Sequence, residues 1–172
     1  KNKNYDYLID AFKSLKDQPV SLHIYGAGPA HDELQQAINA AGVSIELKGQ
    51  VKNIPALLPA YHIFVMPSKF EGFSLSVLEA MAAKRPMLLS NIPSFREQCE
   101  DSAIYFDLDN PEDFVQKLIR LMADKTQMET LGMKGYYRMN HNFTFSYHLE
   151  QVKALYETEI AANQVQGNKY LK

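Results

Sequence analysis

Apolar residues recur at helical spacing at Tyr5, Leu8, Ile9, Phe12 and Leu15, which predicts a helix over 5–15 capped by Asn4 or Asn2. Residues 20–25 are instead a short apolar, β-branched run that stops at Gly26-Ala27-Gly28-Pro29, so a strand and a turn are expected. A helix over 32–41 ends at Gly42, a suitable C′ glycine. A strand follows over 44–47, then a short helix running from its cap, Asn53, to residue 60. His62-Ile63-Phe64-Val65-Met66 is nearly all apolar and is closed by Pro67-Ser68, the pattern of a central parallel strand covered on both faces.

Further along, a helix is expected over 74–83 and short strands over 87–89 and 103–106. Asn110-Pro111-Glu112-Asp113 combines a cap, a proline at the first helical position and acids in the first turn. Phe114, Leu118, Leu121 and Met122 give that helix its buried face. Two more helices are expected over 126–139 and 145–162, and the polar residues 163–172 are expected to fray. Strands separated by helices of this length imply right-handed crossovers and a parallel sheet, so the fold class is α/β with a Rossmann-like, three-layer α/β/α arrangement. Ligands of such sheets sit beyond the carboxyl ends of the strands. That selects the loops at 26–29, 49–53, 67–73 and 90–93.

Composition narrows the function classes. A length of 172 residues suits one domain with its own core, and 46% hydrophobic with 22% charged residues fits a globular chain. A net charge of -2 removes any overall electrostatic case for nucleic acid as a partner. Cys99 is the only cysteine, which excludes an internal disulfide framework or a CxxC site and suits a reducing compartment. No apolar run reaches the roughly 18–20 residues of a membrane span. The expected location is the cytoplasm or the cytoplasmic face of a membrane. Lys1-Asn2-Lys3 is not a natural initiation sequence, so an excised domain of a larger protein is expected.

The most informative stretch runs from Pro67 to Ala82. It leaves a buried strand, turns at Gly72 and enters a helix near Ser74, where free backbone N–H groups and the helix dipole suit a diphosphate. Glu71 stands in the loop ahead of that helix and Glu79 lies one to two turns inside it. One carboxylate could face the part of a ligand beyond the phosphates, and the other could accept both hydroxyls of a ribose. A plainer alternative stands beside this: Ser76-x-x-Glu79 is also a capping-box pattern, and Glu71 could be an ordinary loop acid. Lys3 alone reads as a solvated residue at a helix start. His23, His31, His62, His141 and His148 are scattered and read as surface or structural residues, so no metal site is expected.

The two glutamates, with seven residues between them, resemble the E-x7-E signature of retaining glycosyltransferases of the GT-B fold, particularly glycosyltransferase family 4, the glycosyl transferases group 1. The resemblance extends in order along nearly the whole chain. It takes in Lys3 to Phe12, the strand and turn from Leu22 to Pro29, Leu47-Lys48-Gly49-Gln50-Val51, Met66-Pro67-Ser68 and the two-glutamate segment. It implies the C-terminal, donor-binding half of a GT-B enzyme that moves a hexosyl-type sugar to a glycan or lipid-linked acceptor in polysaccharide biosynthesis. The implied partners are a UDP-, GDP- or ADP-sugar and an N-terminal acceptor-binding domain. Neither cofactor nor metal is implied, because basic side chains and a helix start take over the leaving-group charge.

Residue by residue, the resemblance implies that Lys3 neutralises donor phosphate and that Gly49, Gln50 and Val51 border the base. Glu71 would touch the transferred sugar, with the turn at Gly72 beside it. Phe73, Ser74 and Leu75 would offer backbone N–H groups, and Glu79 would hold the ribose. Arg96 and Glu97 read as a helix face and fall outside the site. Two departures stand out. Lys84 occupies the place where glycine normally ends the helix, which implies a strained or reshaped turn. The family's first strand, which sits mid-sheet, and the arginine after it would lie ahead of Lys1. Rival readings are a GT-B nucleotide-sugar epimerase or phosphorylase and a non-catalytic nucleotide-binding domain.

Overall fold

A computed structural model describes residues 2–167. The chain divides into two compact units, 1–136 and 137–172. Among the described residues, the five strands all lie in the first. Helix α1 (Tyr5–Lys13) leads into β1 (Leu22–Tyr25), α2 (His31–Ala41), β2 (Ile45–Gly49) and the short α3 (Ile54–Leu57). Then come β3 (Phe64–Met66), α4 (Leu75–Ala82), β4 (Met87–Ser90), α5 (Pro93–Cys99), β5 (Ala103–Phe106) and α6 (Pro111–Ala123). Helix α7 (Lys125–Asn142) follows, and the second unit contains α8 (Phe145–Gly167). α8 thus extends past the predicted end at 162, so 163–167 are helical where fraying was predicted; this segment has no proline, and glycine only at its end. Within the frayed segment predicted over 163–172, residues 168–172 lie outside the described ones.

All pairings are parallel, as the alternation of strands and helices predicts. They form two sheets rather than one: β1 pairs with β2, and β3-β4-β5 make a second ladder. A shared core joins them. Tyr7, Leu8, Ala11 and Phe12 of α1 pack with Ile24, Ile38 and Ile45 on one side and with Leu88, Phe106, Phe114 and Leu118 on the other. A polar link adds to this on the opposite face of β1. Tyr61 Oη, just ahead of β3, lies 2.6 Å from Tyr25 Oη and 2.7 Å from His23 Nδ1.

β4 shows why its run carries no polar alternation. Leu88 points into the α1–α6 core, whereas Met87 and Leu89 face the other way, and all three are fully buried. Both faces are covered, which gives the three layers.

The helix ends follow the predicted chemistry with one exception. Asn53 Oδ1 accepts from Ala56 N–H at 3.3 Å, Asn110 Oδ1 accepts from Glu112 N–H at 3.2 Å, and Gly42 adopts φ +59°. Asn4 caps α1 in a left-handed conformation without any side-chain cap bond. At the end of α4, Lys84 keeps the left-handed turn (φ +56°) that glycine would make at less cost, about 1–2 kcal/mol less. Arg85 N–H closes the turn on Ala80 C=O at 2.9 Å, and Lys84 Nζ sits 4.6 Å from the centre of the Tyr136 ring.

Candidate functional site

The loop between β3 and α4 starts where Pro67 and Ser68 end a buried strand. Ser68 and Ser90 are both fully buried, and Ser90 Oγ donates to Ser68 C=O at 2.6 Å. Ser68 Oγ in turn donates to Glu71 Oε1 at 2.8 Å. The same carboxylate oxygen receives Lys3 Nζ at 2.6 Å. Burial pushes the Glu71 carboxyl up, but the hydrogen bonds from Lys3 and Ser68 and the Lys3 charge outweigh it and hold the group below its ordinary value. Asn2 fixes this approach: its side-chain amide donates to Phe70 C=O at 2.8 Å, and its carbonyl accepts from Lys69 N–H at 3.0 Å. Lys3 and Glu71, chosen separately in the sequence, are therefore one ion pair.

Helix α4 begins at an extended Ser74 whose Oγ accepts from Val77 N–H at 3.4 Å. The cap is Ser74, so Ser76 sits at the second helical position. The capping-box explanation of Glu79 therefore does not apply. Glu79 is half-buried, and its carboxylate finds no partner among the described residues.

Of the first-turn donors, Ser74 N–H goes to Gln98 Oε1 at 3.1 Å, and Val77 N–H goes to the cap. Ser74 N–H, expected to face a ligand, is thus committed to Gln98. Leu75 and Ser76 N–H have no partner among the described residues, which leaves two amides at the positive end of the helix. Gly72, Phe73 and Leu75 are exposed around this start.

Gly49 ends β2 at φ +68°, and its carbonyl accepts from Gly26 N–H at 2.8 Å, which brings the 26–29 turn beside the 49–51 loop. Gln50 and Val51 then lead toward α3, which packs against α4. The loops after β1, β2 and β3 therefore lie at the carboxyl ends of their strands, as predicted.

A polar cavity of about 620 Å³ lies elsewhere, beyond β4 and β5, bordered by Asn91, Arg96, Tyr105, Asp107 and Lys117. Its two cations are engaged within the chain: Arg96 donates to Asn91 and lies over the Tyr105 ring, and Lys117 pairs with Asp113. Gln98 was missing from the sequence reading. Its signal was a polar residue between the apolar positions Phe95 and Cys99 on one helix, all three buried. Among the described residues, no group of three or more His, Cys, Asp or Glu side chains is placed to hold a metal ion, and no helix is long and apolar enough to cross a membrane.

Residues 1–124 match the family described as glycosyl transferases group 1. The chain belongs to that family. The match covers every site residue from Lys3 to Gln98.

Among the relatives of this group 1 glycosyl transferase chain is the lipopolysaccharide core biosynthesis mannosyltransferase LpsB of Rhizobium meliloti. It is 28% identical over 132 residues, 73% of this chain and 38% of LpsB. The poly(ribitol-phosphate) alpha-N-acetylglucosaminyltransferase of Staphylococcus aureus is 28% identical over 140 residues, 77% of this chain and 28% of that protein. A solved S. aureus TarM variant, bound to Fondaparinux, alpha-GlcNAc-glycerol and UDP, superposes with a TM-score of 0.83 at 25% identity. It covers 90% of this chain and 33% of that one. The Anabaena Alr3699/HepE structure with UDP and glucose gives 0.79 at 19% identity, covering 90% and 45%. The fold is accordingly the Rossmann-like half of a GT-B glycosyltransferase. The chain spans between 28% and 38% of the first curated relatives it matches.

Proposed function

We propose that this chain binds the nucleoside-diphosphate sugar of a retaining glycosyltransferase and presents the sugar to an acceptor hydroxyl held by another part of the enzyme. The observation that carries the reading is Glu79: a half-buried carboxylate without a partner, on the helix whose Leu75 and Ser76 N–H groups are also unpartnered. In this reading the diphosphate takes those two amides and the Lys3 ammonium, and Glu79 accepts the paired ribose hydroxyls. Gly49, Gln50 and Val51 border the base. Glu71, Gly72 and Phe73 meet the transferred hexosyl-type sugar.

The bond that breaks joins the anomeric carbon to the diphosphate oxygen. As it lengthens, the sugar gains oxocarbenium character and the leaving phosphate gains charge, which Lys3 and the start of α4 stabilise where it develops. The leaving phosphate guides the acceptor proton, and the acceptor attacks with retained configuration. Glu71, held as an anion by Lys3 and Ser68, favours positive charge on the sugar without acting as nucleophile. No metal is required in this scheme, because fixed dipoles and Lys3 supply the countercharge.

The known partners of related proteins support this reading: UDP accompanies glucose in HepE, and UDP is bound in TarM. A thermal-shift screen against UDP-, GDP- and ADP-sugars tests it. Binding raises the melting temperature with donor concentration, since a ligand of the folded state stabilises it by mass action. A flat response to every donor up to millimolar concentration contradicts the proposal.

A further inference from the structure

The loop that carries Glu71 is tied down at both ends by the β–α unit that follows it. At its start, the fully buried Ser90 on the last residue of β4 donates to Ser68 C=O at 2.6 Å. At its end, the buried Gln98 on α5 binds both polar groups of one peptide residue. Gln98 Oε1 accepts from Ser74 N–H at 3.1 Å, and Gln98 Nε2 donates to Ser74 C=O at 2.9 Å. α5 is itself anchored, because Tyr105 on β5 donates to the carbonyls of Phe95 at 3.2 Å and Glu100 at 2.7 Å.

We infer that Gln98 and Ser90 are positioning residues that preset the 68–74 loop for the donor. The physical case is one of orientation. Gly72 and Phe73 are exposed and make no regular structure, so the direction of Glu71 and of the first α4 amides depends on where the loop is held. A side-chain amide bonded to both the N–H and the C=O of Ser74 holds the two peptide groups on either side of its Cα. The second of these groups carries Leu75 N–H, and the first turn of α4 continues from it to Ser76 N–H. Ser90 holds Ser68 by a single bond to its C=O, and the Ser68 hydroxyl donates to Glu71. Ordering these residues ahead of binding removes an entropic cost that the donor would otherwise meet.

Ser74 N–H also acquires a definite role: it is a buried strut, and the ligand-facing donors are the next two. The inference rests on the proposed donor site. It adds residues that contact no ligand.

The test compares the 172-residue chain with Gln98→Met, of similar size but unable to make either bond, and with the milder Ser90→Ala. Calorimetric affinity is measured for the nucleoside-diphosphate sugar that gives the largest thermal shift, alongside melting temperature and amide hydrogen exchange. Each variant is expected to bind about tenfold more weakly, the order of one lost well-made interaction. Faster exchange is expected at 68–76 only, with exchange in β4 and β5 unchanged. A merely structural role would raise exchange throughout the first unit and leave the affinity of the folded fraction intact.

If the parent chain binds and both folded variants bind equally well, the inference is overturned. If Gln98→Met does not fold, Ser90→Ala decides by the same criteria. If the parent chain itself binds no nucleoside-diphosphate sugar, the proposed function fails first and the inference falls with it.

Discussion

Lys3 Nζ lies 2.6 Å from Glu71 Oε1 although the two residues are 68 positions apart in the chain. The Asn2 bonds to Lys69 and Phe70 hold the chain next to the pair.

Replacement of Lys3 by methionine is expected to weaken donor affinity about tenfold, the effect of one charge-assisted contact. It also changes the acid limb of stability. Glu71 is held below its ordinary value of 4.5, so its contribution is present above that value and is lost as pH falls through the lower folded value. Melting temperature followed from pH 7 to pH 3 is expected to drop less steeply in Lys3→Met than in the parent chain. An identical acid limb would show that the pair is inert.

Gly132 and Gly135 make a sharp internal comparison. A Cβ at Gly132 would lie 2.3 Å from Lys84 O and 3.0 Å from Lys84 C, both backbone atoms of the left-handed turn. At Gly135 it would meet the flexible Met87 Cε at 3.3 Å and Met81 Cγ at 3.4 Å. Gly132→Ala is therefore expected to cost about 2 kcal/mol or more through overpacking. Gly135→Ala is expected to cost below ~1 kcal/mol, because methionine side chains give way. Urea unfolding of the two variants checks the order, and equal midpoints would contradict it.

Tyr61 links the polar side of β1 to the segment ahead of β3. Burial, then the hydrogen bond with Tyr25, pushes its hydroxyl up to about 12 from an ordinary value of 10.0. The sign follows: its contribution is complete below pH 10.0 and is lost as pH rises through about 12. Tyr61→Phe is expected to cost about 1 kcal/mol at neutral pH and to flatten the alkaline loss. Chemical unfolding at pH 7 and pH 11 measures both effects.

Much of the fold was legible because it rests on local chemistry. The Asn53 and Asn110 caps, the Gly42 end and the fully apolar β4 each follow from a few neighbouring residues. Lys84 was legible through the family resemblance instead, as a side chain standing where that pattern has glycine. The division into two sheets was not, since strand pairing depends on contacts between distant segments that periodicity does not encode.

The site divides along the same line. Glu71, Glu79 and the start of α4 could be read from one stretch of sequence. The Lys3–Glu71 pairing and the Gln98–Ser74 bonds could not, for each joins segments that only the fold brings together. The exact cap mattered most. Placing it at Ser74 instead of Ser76 removes the capping-box explanation and leaves Glu79 without an internal task.

The central claim is that Glu79 serves a ligand, and one measurement tests it most directly. Calorimetric titration of the parent chain and of Glu79→Ala with the best nucleoside-diphosphate sugar is expected to show at least about a tenfold loss of affinity. The melting temperature of the ligand-free variant should stay close to that of the parent. Unchanged affinity together with a lowered melting temperature would contradict the account and return Glu79 to a purely structural role.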